Sequence, residues 1–289
     1  MRCACIDVGS NTTRLLVADA DAGALTDVLN DRAFTLIGRS LAEGGRIPVA
    51  KLEETATVVS DQVARARELG AERVRVVATA AIRSAANAAE LARAIESRAD
   101  VQLDVLEGEE EARLAFRGAA HVIDGTGTLA VIDLGGGSTE IAIGSAHGHI
   151  ARADSIPVGS LVLADRHLRS DPPSEGELEA ARDEVARAFE AYEPPRVDRA
   201  VAVGGSASSL LYVAGGLLGP YELRHALYML CSEPAGSFAA GVGLEPVRVR
   251  LLPAAVLVLA ELARRMGQPL GICKGGLREG VILEMMGTS

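Results

Sequence analysis

The chain carries one short pattern twice. Val131-Ile132-Asp133-Leu134-Gly135-Gly136-Gly137-Ser138-Thr139-Glu140 is an apolar strand that ends on a carboxylate, turns through three glycines and restarts on hydroxyl residues. The start of the chain repeats it as Ile6-Asp7-Val8-Gly9-Ser10-Asn11-Thr12-Thr13, with the two aspartates 126 positions apart. Each copy leads into a second apolar segment, Leu15-Leu16-Val17-Ala18 or Ile141-Ala142-Ile143, then a glycine turn at Ala22-Gly23-Ala24 or His147-Gly148-His149, then a third alternating segment. Repetition of a whole supersecondary unit predicts two halves of like fold, residues 1–124 and 125–289.

The chemistry of such a turn is that of anion handling. Glycines lack the Cβ atoms that hold a backbone away from an anion, so successive N–H groups can point at phosphate oxygens. Ser10, Asn11, Thr12, Ser138 and Thr139 add polar side chains beside Gly9, Gly135, Gly136 and Gly137. Asp133 at a strand end and Glu140 at the start of the next strand are placed to hold a hard divalent cation, and Asp7 has the place of Asp133 in the first copy. Two such turns facing each other across a cleft would grip a polyphosphate from both sides. The other reading of each string is a tight hairpin between two core strands.

Between the copies, Ala24 to Thr35 alternates as a third strand, and Leu41-Ala42-Glu43-Gly44-Gly45-Arg46 has loop chemistry. Leu52, Thr55, Ala56, Val59 and Val63 return at helical spacing between Pro48 and a stop at Gly70. Arg73 to Thr79 is a strand that delivers Arg83 to its carboxyl end, where open α/β sheets place ligands. Arg83 there is either a guanidinium forked onto two phosphate oxygens or a solvated arginine in a first helical turn, and one helix is expected to run on to Arg98. Glu107-Gly108-Glu109-Glu110-Glu111 reads as a solvated helix start, unless Glu111, which precedes the apolar face of Leu114, Ala115 and Gly118, turns inward. In the second half, Ser174 and Glu177 form a capping-box pattern, and the strand Arg199 to Val203 ends in a third turn, Gly204-Gly205-Ser206, that opens a helix.

Composition narrows the class. A net charge of −10 argues against a nucleic-acid groove, so a polyanionic substrate needs a local basic lining or a metal. Cys3, Cys5, Cys231 and Cys273 show no paired metal spacing and read as reduced core residues, with Cys3 and Cys5 on one face of a strand. The first strand begins almost at Met1 with no leader before it, and the longest apolar stretch, Leu251 to Ala260, contains Pro253 and is too short to span a bilayer. The expectation is a soluble cytoplasmic protein, with neither membrane nor nucleic acid as partner.

The β-β-β-α-β-α-β-α order in both halves resembles the duplicated, ribonuclease H-like α/β fold of the actin, sugar-kinase and heat-shock-chaperone ATPase superfamily. Within it the chain is similar to the exopolyphosphatase and guanosine pentaphosphate phosphohydrolase (Ppx/GppA) family. The resemblance is carried by Asp7 to Leu15, Ala80 to Asn87, Gly108 to Leu114, Ile132 to Glu140, Val203 to Ser206 and Gly276 to Gly280, which together span almost the whole chain. It implies that Glu111 is the base that activates water and Arg83 the phosphate-gripping arginine. Asp133 and Glu140, with Asp7, become the acids linked to Mg²⁺ (or Mn²⁺). The glycine turns become phosphate cradles, and Gly205 and Ser206 belong to the loop that meets the nucleotide in ATP-binding relatives. The implied substrate is inorganic polyphosphate or a phosphorylated guanosine nucleotide, cut in the cleft between domains by a homodimer. Nucleoside di- or triphosphate hydrolysis, a kinase and a nucleotide-binding regulator are the other functions this fold supports. Three departures stand out: Ser206 in place of Thr, Val247-Arg248-Val249-Arg250 in place of Arg-Ala-Asp, and an end at Ser289 without the C-terminal helical domains of long members, from which a preference for short polyphosphates is expected.

Overall fold

The computed structural model of the protein describes residues 1–21, 24–41 and 44–287; the expected Ala22-Gly23 turn and the Ala42-Glu43 part of the loop lie outside the described residues. Two compact units result, Met1–Gly118 with Gly276–Ser289, and Ala119–Gly275.

In the first unit, β1 (Arg2–Val8), β2 (Thr13–Asp21) and β3 (Ala24–Ala33) form an antiparallel meander. α1 (Ile37–Ser40), α2 (Val49–Glu68), β4 (Arg73–Ala78), α3 (Ala80–Ser84), α4 (Ala88–Ala99), β5 (Leu103–Val105) and α5 (Gly108–Ala120) follow. The sheet order is β3-β2-β1-β4-β5, with β1, β4 and β5 parallel. Strand alternation sends Ala4, Ile6 and Val8 to one face, where α2 and α4 cover them with Leu52, Ala56, Val59, Leu91 and Ile95. Gly70, at φ +81, ends the α2 turn as a left-handed glycine does. The single helix expected from Arg83 to Arg98 is broken between α3 and α4. Asn87 accepts from the Ile47 N–H at 2.8 Å and donates to the Ile47 carbonyl at 3.0 Å, and this long-range pair overrides helix continuation.

The second unit repeats the plan. It comprises β6 (Thr128–Leu134), β7 (Thr139–Ser145), β8 (Ile150–Ile156), α6 (Ser160–His167), α7 (Glu175–Ala188), β9 (Arg199–Val203), α8 (Gly204–Ala214), β10 (Leu217–Leu218), α9 (Pro220–Leu230), α10 (Ala235–Val242), α11 (Pro246–Val249), α12 (Leu252–Met266) and β11 (Leu270–Ile272). Its order β8-β7-β6-β9-β11 matches β3-β2-β1-β4-β5 in connection and direction, with β10 added at the β11 edge. The α/β duplication read from the sequence is present. Ser174 and Glu177 close the expected capping box on α7.

One helix departs from a division at residue 124. α13 (Leu277–Met285) follows β11 but joins the first unit, where Leu277, Val281 and Ile282 pack with Cys3, Cys5, Leu16, Ala18, Val77, Leu106 and Leu114. The physical reason is the second face of β1, which α2 and α4 leave open and α5 and α13 cover. The approach of these two helices leaves no room for side chains at its centre: a Cβ on Gly118 would stand 2.8 Å from the Gly280 nitrogen. No helix among the described residues is long and apolar enough to cross a membrane.

Candidate active site

Parallel β1, β4 and β5 end on the same edge of the first sheet and deliver the residues that follow them to that edge. β1 brings Asp7 and the Gly9-Ser10-Asn11-Thr12 turn, β4 brings Arg83 on α3, and β5 brings Glu111 on the first turn of α5. The turn is closed by the Gly9 N–H donating to the Thr12 carbonyl at 3.0 Å. It is braced from outside, because Leu36 N–H donates to the Asn11 carbonyl at 3.0 Å and Gly38 N–H to the Ser10 carbonyl at 2.7 Å. Leu36 adopts a left-handed φ of 51° in making this contact, a conformation uncommon for a branched residue.

Oδ1 of Asp7 is buried and has no hydrogen-bond partner among the described residues, and the same holds for Oδ1 of Asn11. Burial pushes the Asp7 carboxyl above its ordinary range, opposed by the charges of Arg14 and Arg278. Arg14 is its cross-strand neighbour on β2, while Arg278 is a buried residue of α13 that donates to the Leu15 carbonyl and to Asn30 Oδ1.

Arg83 and Glu111 come together. Nη1 of Arg83 donates to the Leu106 carbonyl at 2.6 Å and to Glu111 Oε2 at 3.2 Å. Among the acids of that helix start, Glu107, Glu109 and Glu110 are exposed and Glu111 is only 6% exposed. The inward alternative for Glu111 is therefore the one the fold adopts, and Arg83 is not a freely solvated arginine.

In the second unit the Gly135 N–H donates to the Ser138 carbonyl at 3.0 Å, the same closure as at Gly9 and Thr12. The repeats differ in one charge. Asp133 lies directly opposite Glu140 on β7, at the place where Asp7 faces Arg14. Glu140 is buried, and its Oε1 accepts from Ser155 Oγ at 2.7 Å. β9 runs beside β6 and sets Gly204 against Asp133, so that a Cβ on Gly204 would stand 2.5 Å from Asp133 Oδ1. The next residues of that turn are tied down as well. The Gly205 carbonyl accepts from Arg248 Nη1 at 3.0 Å and Ser209 Oγ at 2.9 Å, and Ser206 Oγ lies 3.4 Å from Ser160 Oγ.

One site residue read from the sequence is corrected. Thr139 is fully buried and its hydroxyl donates to the Val158 carbonyl at 2.5 Å, so it faces the interior rather than an anion. β-Strand alternation is the reason, since Glu140 and Thr139 must point to opposite faces. Arg250, the departure from Arg-Ala-Asp, is structural: Nη2 donates to the carbonyls of Leu168 at 2.9 Å and Arg169 at 2.8 Å, holding the chain after α6.

Fit to a divalent cation follows from the donors present. No cluster of three or more His, Cys, Asp or Glu side chains capable of holding a metal occurs among the described residues. Mg²⁺ does not need one, because it is commonly held by one or two carboxylates while waters and substrate phosphates complete its shell. Like charges directly opposite on one sheet face repel, and a cation relieves that repulsion. Asp133 and Glu140 in the second unit fit such a role, and in the first unit the buried Oδ1 of Asp7 is an oxygen with no hydrogen-bond partner among the described residues.

Sequence reasoning missed the braces behind the turns, Leu36 to Gly38 in one unit and Val158 to Val162 in the other. Their signal was a glycine, Gly38 or Gly159, shortly after the third strand of each repeat.

Residues 16–219 match the profile of the Ppx/GppA phosphatase family. The chain is 30% identical to exopolyphosphatase 2 of Mycobacterium tuberculosis, over 100% of this chain and 98% of that protein. It is 27% identical to the guanosine-5'-triphosphate,3'-diphosphate pyrophosphatase of Aeromonas hydrophila, covering 99% of this chain and 60% of that one. Among solved structures, the Ppx/GppA family member of Aquifex aeolicus superposes with a TM-score of 0.84 at 27% identity, over 99% of this chain and 97% of the other.

Proposed function

We propose that this chain, which belongs to the Ppx/GppA phosphatase family, removes the terminal orthophosphate of inorganic polyphosphate by water attack. The observation that carries the reading is Glu111, a carboxylate turned inward at the start of α5 and held by Arg83 at 3.2 Å. Glu111 accepts a proton from water as the water oxygen bonds to the terminal phosphorus. The bond from that phosphorus to the bridging oxygen breaks, and the oxygen leaves with the shortened polyphosphate.

Arg83 has two tasks in this scheme. One N–H group orients Glu111, and the remaining donors of its fork present charge to phosphate oxygens. Gly9, Ser10, Asn11 and Thr12 in the first unit, and Gly135, Gly136, Gly137, Ser138, Gly205 and Ser206 in the second, supply N–H and hydroxyl donors for phosphate. Asp133, Glu140 and Asp7 are the carboxylates that would hold Mg²⁺ or Mn²⁺. When bound, the cation neutralises charge on phosphate oxygens.

Polyphosphate is placed first because the relative named for it is matched over 98% of its length. Removal of the terminal phosphate of guanosine pentaphosphate is the second reading, favoured by the Aeromonas relative, and it uses the same base and the same bond type. A homodimer and a cytoplasmic location complete the proposal, both supported by the family resemblance alone.

Phosphate release measured side by side on short and long polyphosphate, ATP and guanosine pentaphosphate with Mg²⁺ tests the substrate. Glu111→Gln tests the mechanism: turnover is expected to fall by roughly two to four orders of magnitude with folding intact. Near-wild-type turnover in that variant would return Glu111 to the role of a helix-start acid.

A further inference from the structure

The elbow between β8 and α6, Pro157-Val158-Gly159-Ser160, supplies no donor to phosphate in the function above, yet it presses on the second glycine turn more closely than any side chain permits. A Cβ on Gly159 would stand 2.5 Å from both the carbonyl carbon and the oxygen of Gly136, and 2.6 Å from the Gly137 nitrogen. Gly159 has φ −136° and ψ 165°, which any residue adopts, so space alone demands glycine here.

Hydrogen bonds continue the grip. Ser160 N–H donates to the Gly135 carbonyl at 3.0 Å, while Leu161 and Val162 N–H both donate to the Gly136 carbonyl at 3.0 Å. Ser160 Oγ adds a bond to the Gly135 carbonyl at 3.2 Å. Peptide planes are rigid and trans, so a carbonyl directed one way sends the N–H of the next residue the other way. With the Gly135 and Gly136 carbonyls captured by the first turn of α6, the N–H groups of Gly136 and Gly137 are directed away from that helix as adjacent donors. The first unit has a like device, in which Leu36 and Gly38 capture the Asn11 and Ser10 carbonyls.

We infer that Gly159 and Ser160 are positioning residues of the phosphate cradle: they hold the carbonyls of Gly135 and Gly136 so that the N–H pair of Gly136 and Gly137 is set in advance for an anionic phosphate oxygen. The inference rests on the reading that this turn binds phosphate.

The test compares Gly159→Ala and Ser160→Ala with wild type and with Gly176→Ala, where an added Cβ meets nothing within 4 Å. Amide hydrogen exchange over residues 133–140 is followed with and without tripolyphosphate, and phosphate release is measured on polyphosphate of defined length. Gly159→Ala is expected to exchange faster across 133–140 but not in α2 or α12, and to lose the protection that tripolyphosphate gives the turn in wild type. Its kcat/KM falls by roughly tenfold to a hundredfold, the scale for misplacement of a binding group by about 1 Å. Gly176→Ala behaves as wild type.

A folded Gly159→Ala with wild-type exchange, protection and turnover overturns the inference. Should that variant not fold, Ser160→Ala decides: faster exchange at 133–140 with weakened protection supports the inference, and no change overturns it. Wild-type inactivity on every polyphosphate overturns the functional reading instead, and loosened exchange in Gly159→Ala then still supports the elbow as the brace of the turn.

Discussion

Replacing Gly280 by alanine sets two effects of opposite sign against each other. Gly280 is an interior residue of α13, where alanine is favoured over glycine by about 1 kcal/mol. Against this, the new Cβ would stand 2.6 Å from the Leu114 carbonyl carbon and 3.2 Å from its Cα. Carbon atoms rest at about 3.5–4.0 Å, so α13 and α5 must part by roughly 1 Å. The obstacle is helix backbone and cannot rotate aside, which places the overpacking cost near the top of its usual range of about 1–3 kcal/mol. A gap of that size also removes dispersion contact from Leu277, Val281 and Ile282 on the same helix. Sterics win, and the expected net loss is about 2 kcal/mol.

The assay can be confined to one unit. Trp is absent and all four tyrosines, Tyr192, Tyr212, Tyr221 and Tyr228, lie in the second unit, so tyrosine fluorescence follows that unit while far-ultraviolet circular dichroism follows both. In urea the dichroism transition of Gly280→Ala should begin earlier than in wild type, and exchange across α5 and α13 should quicken by roughly thirtyfold. A dichroism midpoint at or above the wild-type value would refute the argument, because helix preference would then have outweighed the contact.

Two further outcomes are expected. Asp133→Asn should raise the Mg²⁺ concentration needed for half-maximal phosphate release, whereas an unchanged metal titration would remove Asp133 from the metal site. Glu177 is held down to about 2 by the Ser170 hydroxyl and by the N–H groups of Ser174, Ser170 and Arg169. A depressed carboxyl stabilises the fold fully above its unfolded value of about 4.5 and loses that contribution as pH falls through about 2. Thermal midpoints of wild type and Glu177→Gln should therefore differ by a constant amount above pH 5 and converge below it; a gap unchanged at pH 3 would contradict this.

What could be read from the sequence was local. The strand, turn and strand of each repeat is closed by one hydrogen bond between residues three apart, Gly9 to Thr12 and Gly135 to Ser138, so its residues suffice to announce it. The inward turn of Glu111 was readable as an alternative because it begins the apolar face of α5. Features decided by distant partners were not readable. Asn87 breaks a helix by binding Ile47 forty positions away. Thr139 looked like one more hydroxyl of the turn until the pleat of β7 assigned it to Val158. Arg250 looked like a lost acid, and the carbonyls of Leu168 and Arg169 that it binds carry no sequence signature. Gly118 and Gly280 did leave a trace, since a glycine inside a helical pattern signals close packing, but nothing in the pattern says against what.

The placement of α13 has a consequence for how the first unit forms. Cys3, Cys5, Leu16, Ala18 and Val77 are all within a few per cent of full burial, and their cover includes Leu277, Val281 and Ile282 from the last helix. Until those residues arrive, one face of the β1-centred sheet keeps only α5 over it, while the other face already has α2 and α4 from local sequence. Side chains of Val, Leu or Ile size contribute about 1.5–3 kcal/mol each when fully buried. Three of them amount to roughly 5–9 kcal/mol, which is comparable to the whole net stability of an ordinary domain. The first unit is therefore contiguous in space and discontinuous in sequence for an energetic reason. Residues 1–118 alone forgo that burial on the face of β1 opposite α2 and α4, and the helix that supplies it also brings Arg278 to the Leu15 carbonyl, next to the Arg14 that faces Asp7.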